Sequence, residues 1–142
     1  EVFDLEDDKP DHIIHEMLPQ LIALALSNLR GLACIWNKEP QVSFFPNLVS
    51  LLILWCDSLK SLFSLSSAKN LGKLKVFKLC SCEKMKEVIS SDKDENAFTI
   101  FPEMECFVLK DLPIHSYSVT VSKMELLIGL TCKQLGSAIF QV

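Results

Sequence analysis

Six cysteines and three histidines are the side chains of this 142-residue chain best suited to hold a metal or attack a substrate, yet their spacing supports neither role. A structural zinc site draws about four Cys or His ligands onto one ion, usually as two close pairs. Cys80 and Cys82 make one couple, but no second pair follows, and in the pattern described below the two face opposite ways. Cys34, Cys106 and Cys132 fall at unrelated positions, so reduced thiols are expected rather than a disulfide framework. His12 and His15 flank Ile13-Ile14 beside Asp11 and Glu16, a pair with no third ligand at a fixed spacing. His115 takes an otherwise apolar position, where a half-buried structural histidine is expected. No Gly-x-Ser-x-Gly turn is present to activate a serine. With only four glycines, the chain also has no Gly-x-x-x-x-Gly-Lys-Ser/Thr loop to cradle phosphates. The expectation is a chain with no catalytic residue, no metal and no cofactor.

The cysteines gain meaning only inside a repeated hydrophobic phrase. An apolar residue is followed by another three on, a third two later and a fourth three after that. The copies are Leu21, Leu24, Leu26, Leu29; Leu48, Leu51, Ile53, Cys56; Leu74, Phe77, Leu79, Cys82; and Met104, Phe107, Leu109, Leu112. First members at 21, 48, 74 and 104 give steps of 27, 26 and 30 residues, a period that marks stacked repeats. Apolar residues two apart share a face only on an extended strand. The outer members stay buried only if the chain turns inward on both sides. One short strand between two turns is a leucine-rich-repeat unit, which buries its apolar face only by stacking on its neighbours. Each buried Leu or Phe contributes roughly 1.5–3 kcal/mol, against about 1–2 kcal/mol of backbone entropy per ordered residue. At the fourth position, Cys56 and Cys82 are expected to donate to a loop carbonyl.

The copies agree beyond that phrase. Leu32 and Ile35, Leu59 and Leu62, and Met85 and Val88 continue the apolar pattern, followed by Trp36, Phe63 and Ile89. Leu18-Pro19-Gln20-Leu21, Phe45-Pro46-Asn47-Leu48 and Phe101-Pro102-Glu103-Met104 lead into three copies, with Leu71-Gly72-Lys73-Leu74 in the third. Proline, with a fixed φ and no N–H, suits a turn just ahead of a strand. Ser66-Ser67-Ala68-Lys69 is suited to cap a short helix on the convex side. Ser90–Asn96 reads as a polar insertion. Glu1-Val2-Phe3-Asp4 resembles Glu87-Val88-Ile89-Ser90, and both run into acidic loops, which makes residues 1–17 the expected tail of a truncated upstream repeat. After Leu112-Pro113 the pattern fades. Leu127, Leu130, Cys132 and Leu135 fit the phrase once more, while Met124, Leu127, Ile128, Leu135 and Ile139 fit one face of a helix. Residues 118–142 are therefore either a degenerate repeat, a capping segment or a non-native tail. The expected architecture is an α/β leucine-rich-repeat solenoid over 1–117, with a parallel β-sheet on the concave face and irregular loops and short helices on the convex face.

Bulk properties narrow the partners. The net charge of −4 comes with no basic stripe, against nucleic acid. No apolar run approaches the roughly 18 residues needed to cross a bilayer. What is left is protein recognition by the outward residues of each strand, which alternate with the buried pair. Copy one offers Ala23, Ala25 and Ser27; copy two Ser50, Leu52 and Leu54, with Trp55 nearby. Copies three and four offer Val76, Lys78 and Cys80, then Cys106, Val108 and Lys110. Ser50, Leu52, Leu54, Trp55, Lys78 and Lys110 are the expected contact set, since apolar side chains beside positive charge suit an interface. The alternative is that Leu52, Leu54 and Trp55 only pack on neighbouring side chains or under a missing repeat.

Leu29-Arg30-Gly31-Leu32-Ala33-Cys34-Ile35-Trp36, Phe45-Pro46-Asn47-Leu48-Val49-Ser50-Leu51, Cys56-Asp57-Ser58-Leu59-Lys60-Ser61-Leu62-Phe63 and Cys82-Glu83-Lys84-Met85-Lys86-Glu87-Val88-Ile89 carry a more specific likeness. They resemble the irregular leucine-rich repeats of plant coiled-coil nucleotide-binding immune receptors, over residues 1–117. The resemblance implies a cytoplasmic sensing segment of a disease resistance protein. Its partners would be a pathogen effector, a guarded host protein or other domains of the same receptor, which the repeats hold inactive. A repeat scaffold such as the substrate-binding arm of a ubiquitin ligase adaptor is the alternative.

Overall fold

Alternating apolar residues bounded by tight turns give a ladder of short parallel strands. The computed structural model describes residues 18–35, 45–64, 67, 68, 70–90, 101–113 and 139–141. Its strands are β1 (Ala23–Ser27), β2 (Ser50–Leu54), β3 (Ser61–Ser64), β4 (Val76–Cys80), β5 (Glu87–Ser90), β6 (Cys106–Lys110) and β7 (Ile139–Gln141). Five of them form one sheet in the order β1-β2-β4-β6-β7, every pair parallel. The register runs Leu24–Leu51–Phe77–Phe107 and Leu26–Ile53–Leu79–Leu109, which are the two central positions of the repeated phrase. Parallel neighbours need a long crossover, and here each repeat supplies it.

Both ends of each unit are closed by turns of matching geometry. In the lead-ins, the N–H of Leu21, Leu48, Leu74 and Met104 donates to the carbonyl three residues back, at 3.0–3.2 Å. In the exit turns, Leu32, Leu59 and Met85 donate to Leu29, Cys56 and Cys82 at 3.0–3.2 Å. Asn47 ties adjacent lead-ins together: its Nδ2 donates to the Pro19 carbonyl at 2.9 Å, and its Oδ1 accepts from Lys73 Nζ at 2.5 Å.

A second, two-stranded parallel sheet pairs β3 with β5, with Phe63 opposite Ile89 in register. Phe63 lies 6.3 Å from both Phe77 and Phe101, centroid to centroid, so this sheet closes the core across from the first. The phrase suggested inward turns and short helices there. Among the described residues only Ser67 and Ala68 are helical. The side chain that meets this turn is that of Ser64, whose hydroxyl accepts from the Ser67 N–H at 3.1 Å; the cap expected within 66–69 thus comes from further upstream.

The core is continuous from Leu26 to Leu112 and includes both Cys56 and Cys82, each with no exposed surface. The first copy is the exception. Leu21 and Leu24 are only partly buried, and Leu29, expected inside, is 41% exposed. Among the described residues nothing packs on the outer side of β1. The fifth strand of the main sheet, β7, is formed by 139–141, while Leu127 to Leu135 lie outside the described residues, as do His12, His15, His115, Trp36 and Cys132. Among the described residues no helix is long and apolar enough to cross a membrane.

Candidate functional site

Each main-sheet strand of the first four repeats is followed directly by a residue in the left-handed region. Asn28, Trp55, Ser81 and Asp111 have φ of 59°, 52°, 55° and 51°. Their N–H groups extend the ladder: Asn28 donates to Leu54 O at 2.9 Å, Trp55 to Cys80 O at 3.0 Å and Ser81 to Lys110 O at 2.9 Å. A polar residue with a short side chain tolerates this conformation, so Asn28, Ser81 and Asp111 are natural occupants. Trp55 is not. A bulky residue in the left-handed region costs on the order of 1–3 kcal/mol, and here the indole it carries is 54% exposed. The strain therefore stabilises nothing by burial.

The outward face of the sheet shows three rows that cross the strands. Ala23, Ser50, Val76 and Cys106 form the first, and Ala25, Leu52, Lys78 and Val108 the second. Ser27, Leu54, Cys80 and Lys110 form the third. The structure puts Leu52 directly beside Lys78, and separates Leu54 from Lys110 by Cys80 alone. Trp55 follows Leu54 at the strand exit. Ser50 lies two residues before Leu52 on the same strand, and in register it neighbours Ala23 and Val76. Leu52 and Leu54 are half-buried, whereas Lys110 is exposed. All six expected contact residues thus share one face and one rim, with apolar surface centred on β2.

Cys56 and Cys82 behave as packing groups. Cys56 Sγ donates weakly to Leu54 O at 3.6 Å and reaches Leu26 O, in the preceding repeat, at 4.0 Å. Cys82 Sγ donates to Cys80 O at 3.5 Å. Burial pushes the Cys82 thiol up to about 11 and raises that of Cys56 as well. Cys80, on the outward face, is also raised by burial, partly offset by the Lys110 and Lys78 ammonium groups. Thiols kept protonated in this way are poor nucleophiles and poor metal ligands.

Sequence reasoning missed a groove of about 760 Å³ along the strand exits, lined by Ser27, Asn28, Arg30, Trp55, Asp57, Ser81, Glu83 and Asp111. It lies between the row of left-handed residues and the row two positions further along each turn. The signal was available: Asn28, Trp55, Ser81 and Asp111 each stand immediately before the fourth member of the phrase. Nothing in their types marks them as a row, since they share a backbone conformation and not a chemistry.

A family model described as plant disease resistance protein RPS2-like, leucine-rich repeats, matches residues 1–83. No curated protein and no solved structure matches the chain.

Proposed function

Because the chain belongs to the leucine-rich repeats of plant RPS2-like disease resistance proteins, a non-catalytic region of such receptors, we propose that it is a protein-recognition segment of a cytoplasmic immune receptor. In this reading it senses a pathogen effector or an altered host protein and holds the receptor's other domains inactive until then. Repeats over 1–117 supply the recognition surface, and 118–142 act as a degenerate repeat or capping segment; the pairing of β7 with β6 supports an ordered continuation of the sheet.

The observation that carries the reading is the outward face of β2. Leu52 and Leu54 expose apolar surface on a sheet face that no described element covers, Trp55 extends it over the rim, and Lys78 and Lys110 supply charge beside it. Ser50 offers a hydroxyl at the other end of the same strand. Large aromatic anchors next to cations are the composition of binding hot spots.

The test uses the chain bearing Leu52→Ser with Trp55→Ser. Both side chains point away from the core, so the far-ultraviolet spectrum should match that of the parent chain. Capture of the nucleotide-binding module of a receptor of this family is expected to fall by about tenfold or more, since buried aromatic anchors cost 2 kcal/mol or more on truncation. Unchanged capture by a folded double variant removes this face as the site.

A further inference from the structure

The strand-exit groove carries a charge that the outward face of β2 does not use. Three carboxylates, Asp57, Glu83 and Asp111, line it against the single guanidinium of Arg30. Among the described residues none of these four is in a salt bridge, and the one side-chain hydrogen bond of this set is from Ser81, whose Oγ donates to Asp111 Oδ2 at 3.5 Å. The Trp55 indole stands over the same groove, exposed, on a backbone that holds it there at the expense of strain.

This combination selects its occupant. An anionic ligand or nucleic acid is repelled by the excess of carboxylates. A purely apolar helix would leave three carboxylates desolvated and unpaired. A metal ion lacks its ligands, because no group of three or more His, Cys, Asp or Glu among the described residues could hold one. A chain of Arg or Lys side chains satisfies every feature at once: the carboxylates as counter-charges and the indole face as a cation–π platform. Dimensions agree. Strands about 4.8 Å apart place the four left-handed residues along about 14 Å, the reach of about four residues of extended peptide at about 3.3 Å each.

We propose that the strand-exit groove lined by Trp55, Asp57, Glu83 and Asp111 binds an extended basic segment of a partner protein, with an Arg or Lys side chain lying on the Trp55 indole. The groove meets the proposed outward contact face only at Trp55. Asp57 and Glu83 belong to the groove alone, so failure here leaves that reading standing.

The experiment titrates the full chain into a fluorescein-labelled penta-arginine peptide and follows anisotropy, with labelled penta-glutamate as the charge-reversed control. Asp57→Asn with Glu83→Gln is expected to weaken binding about fivefold, as two exposed charge contacts should. Trp55→Asn keeps a residue suited to the left-handed backbone and should weaken it about threefold. Arg30→Gln removes the opposing cation and should tighten binding about twofold, a gain that misfolding cannot produce. Glu103→Gln with Glu105→Gln, an equal loss of charge at the strand entrances, should leave affinity within about twofold. Equal weakening by the two carboxylate pairs would mean that only the net charge of −4 is being read, and would overturn the groove. Binding of penta-glutamate as tight as that of penta-arginine, or no tightening in Arg30→Gln, would overturn it too.

Discussion

Cys82 loses most of its thiol chemistry to its position. Its sulfur has no exposed surface and one carbonyl within reach, and burial raises its pKa from 9.0 to about 11. The unfolded chain therefore binds fewer protons at Cys82 than the folded one between these values. Stability must fall as pH rises through that window and is unaffected by this group below it. Cys82→Ala should cost about 1 kcal/mol at pH 7 through the space left in the core. Its urea midpoint should then decline less steeply than the parent's between pH 9 and pH 11. Parallel declines would show that Cys82 does not titrate in the way its burial requires. The same position in the first copy shows the limit of reading single residues: Leu29 matches Cys56 and Cys82 in the phrase yet lies 41% exposed, because a position is buried only if a neighbouring repeat covers it.

The strands take their strength from the rows that cross them. Phe77 and Phe107 stack at 5.3 Å with planes 20° apart, and Phe63 meets Phe77 from the second sheet at 6.3 Å. Phe77→Ala opens a cavity between two sheets and should cost about 3–5 kcal/mol by urea denaturation. Leu24→Ala, in the same row but on partly exposed β1, should cost less than half as much. Equal costs would contradict the difference in burial between the two rungs. This row was legible in advance, because a two-residue alternation between turns admits only one facing for Leu24, Leu51, Phe77 and Phe107. The lead-in turns were legible for a similar reason: Pro19, Pro46, Gly72 and Pro102 stand where the chain must reverse. The β3–β5 sheet was not. Leu62 and Phe63 are adjacent and both buried, as are Val88 and Ile89, so the alternation that betrays a strand is absent. The Trp55 rim was hidden too, since φ at a bulky residue is set by the sheet to which it must continue to bond, not by its own preference.

Among the described residues the fold is close to one-dimensional: each strand of the main sheet pairs only with the strands on either side of it in the order β1-β2-β4-β6-β7. In such a stack stability is approximately a sum of unit and nearest-neighbour terms, so it need not be lost all at once. β2 and β4 each have a described neighbour on both sides, and the side chains they send inward are fully buried. Among the described residues β1 has one neighbour, and around it Leu18, Ile22 and Leu29 are 45%, 61% and 41% exposed. Two amides compare these rungs at matched backbone geometry. Asn28 and Trp55 occupy the same place in successive units, both in the left-handed region, and donate to the next strand's last carbonyl at 2.9 Å and 3.0 Å. Once each rate is divided by the intrinsic rate that its own local sequence sets, the remaining difference in protection reports the stability of the rungs the two amides join. The Asn28 amide should show a protection factor about tenfold or more below that of Trp55, by native-state exchange read with magnetic resonance, because among the described residues opening β1 severs one interface and opening β2 severs two. The urea transition should be correspondingly broad, with β1 reporting a lower midpoint than β4. Equal protection at the two amides, together with a single sharp transition, would mean that the rungs unfold as one unit and that the stack is cooperative beyond its nearest neighbours.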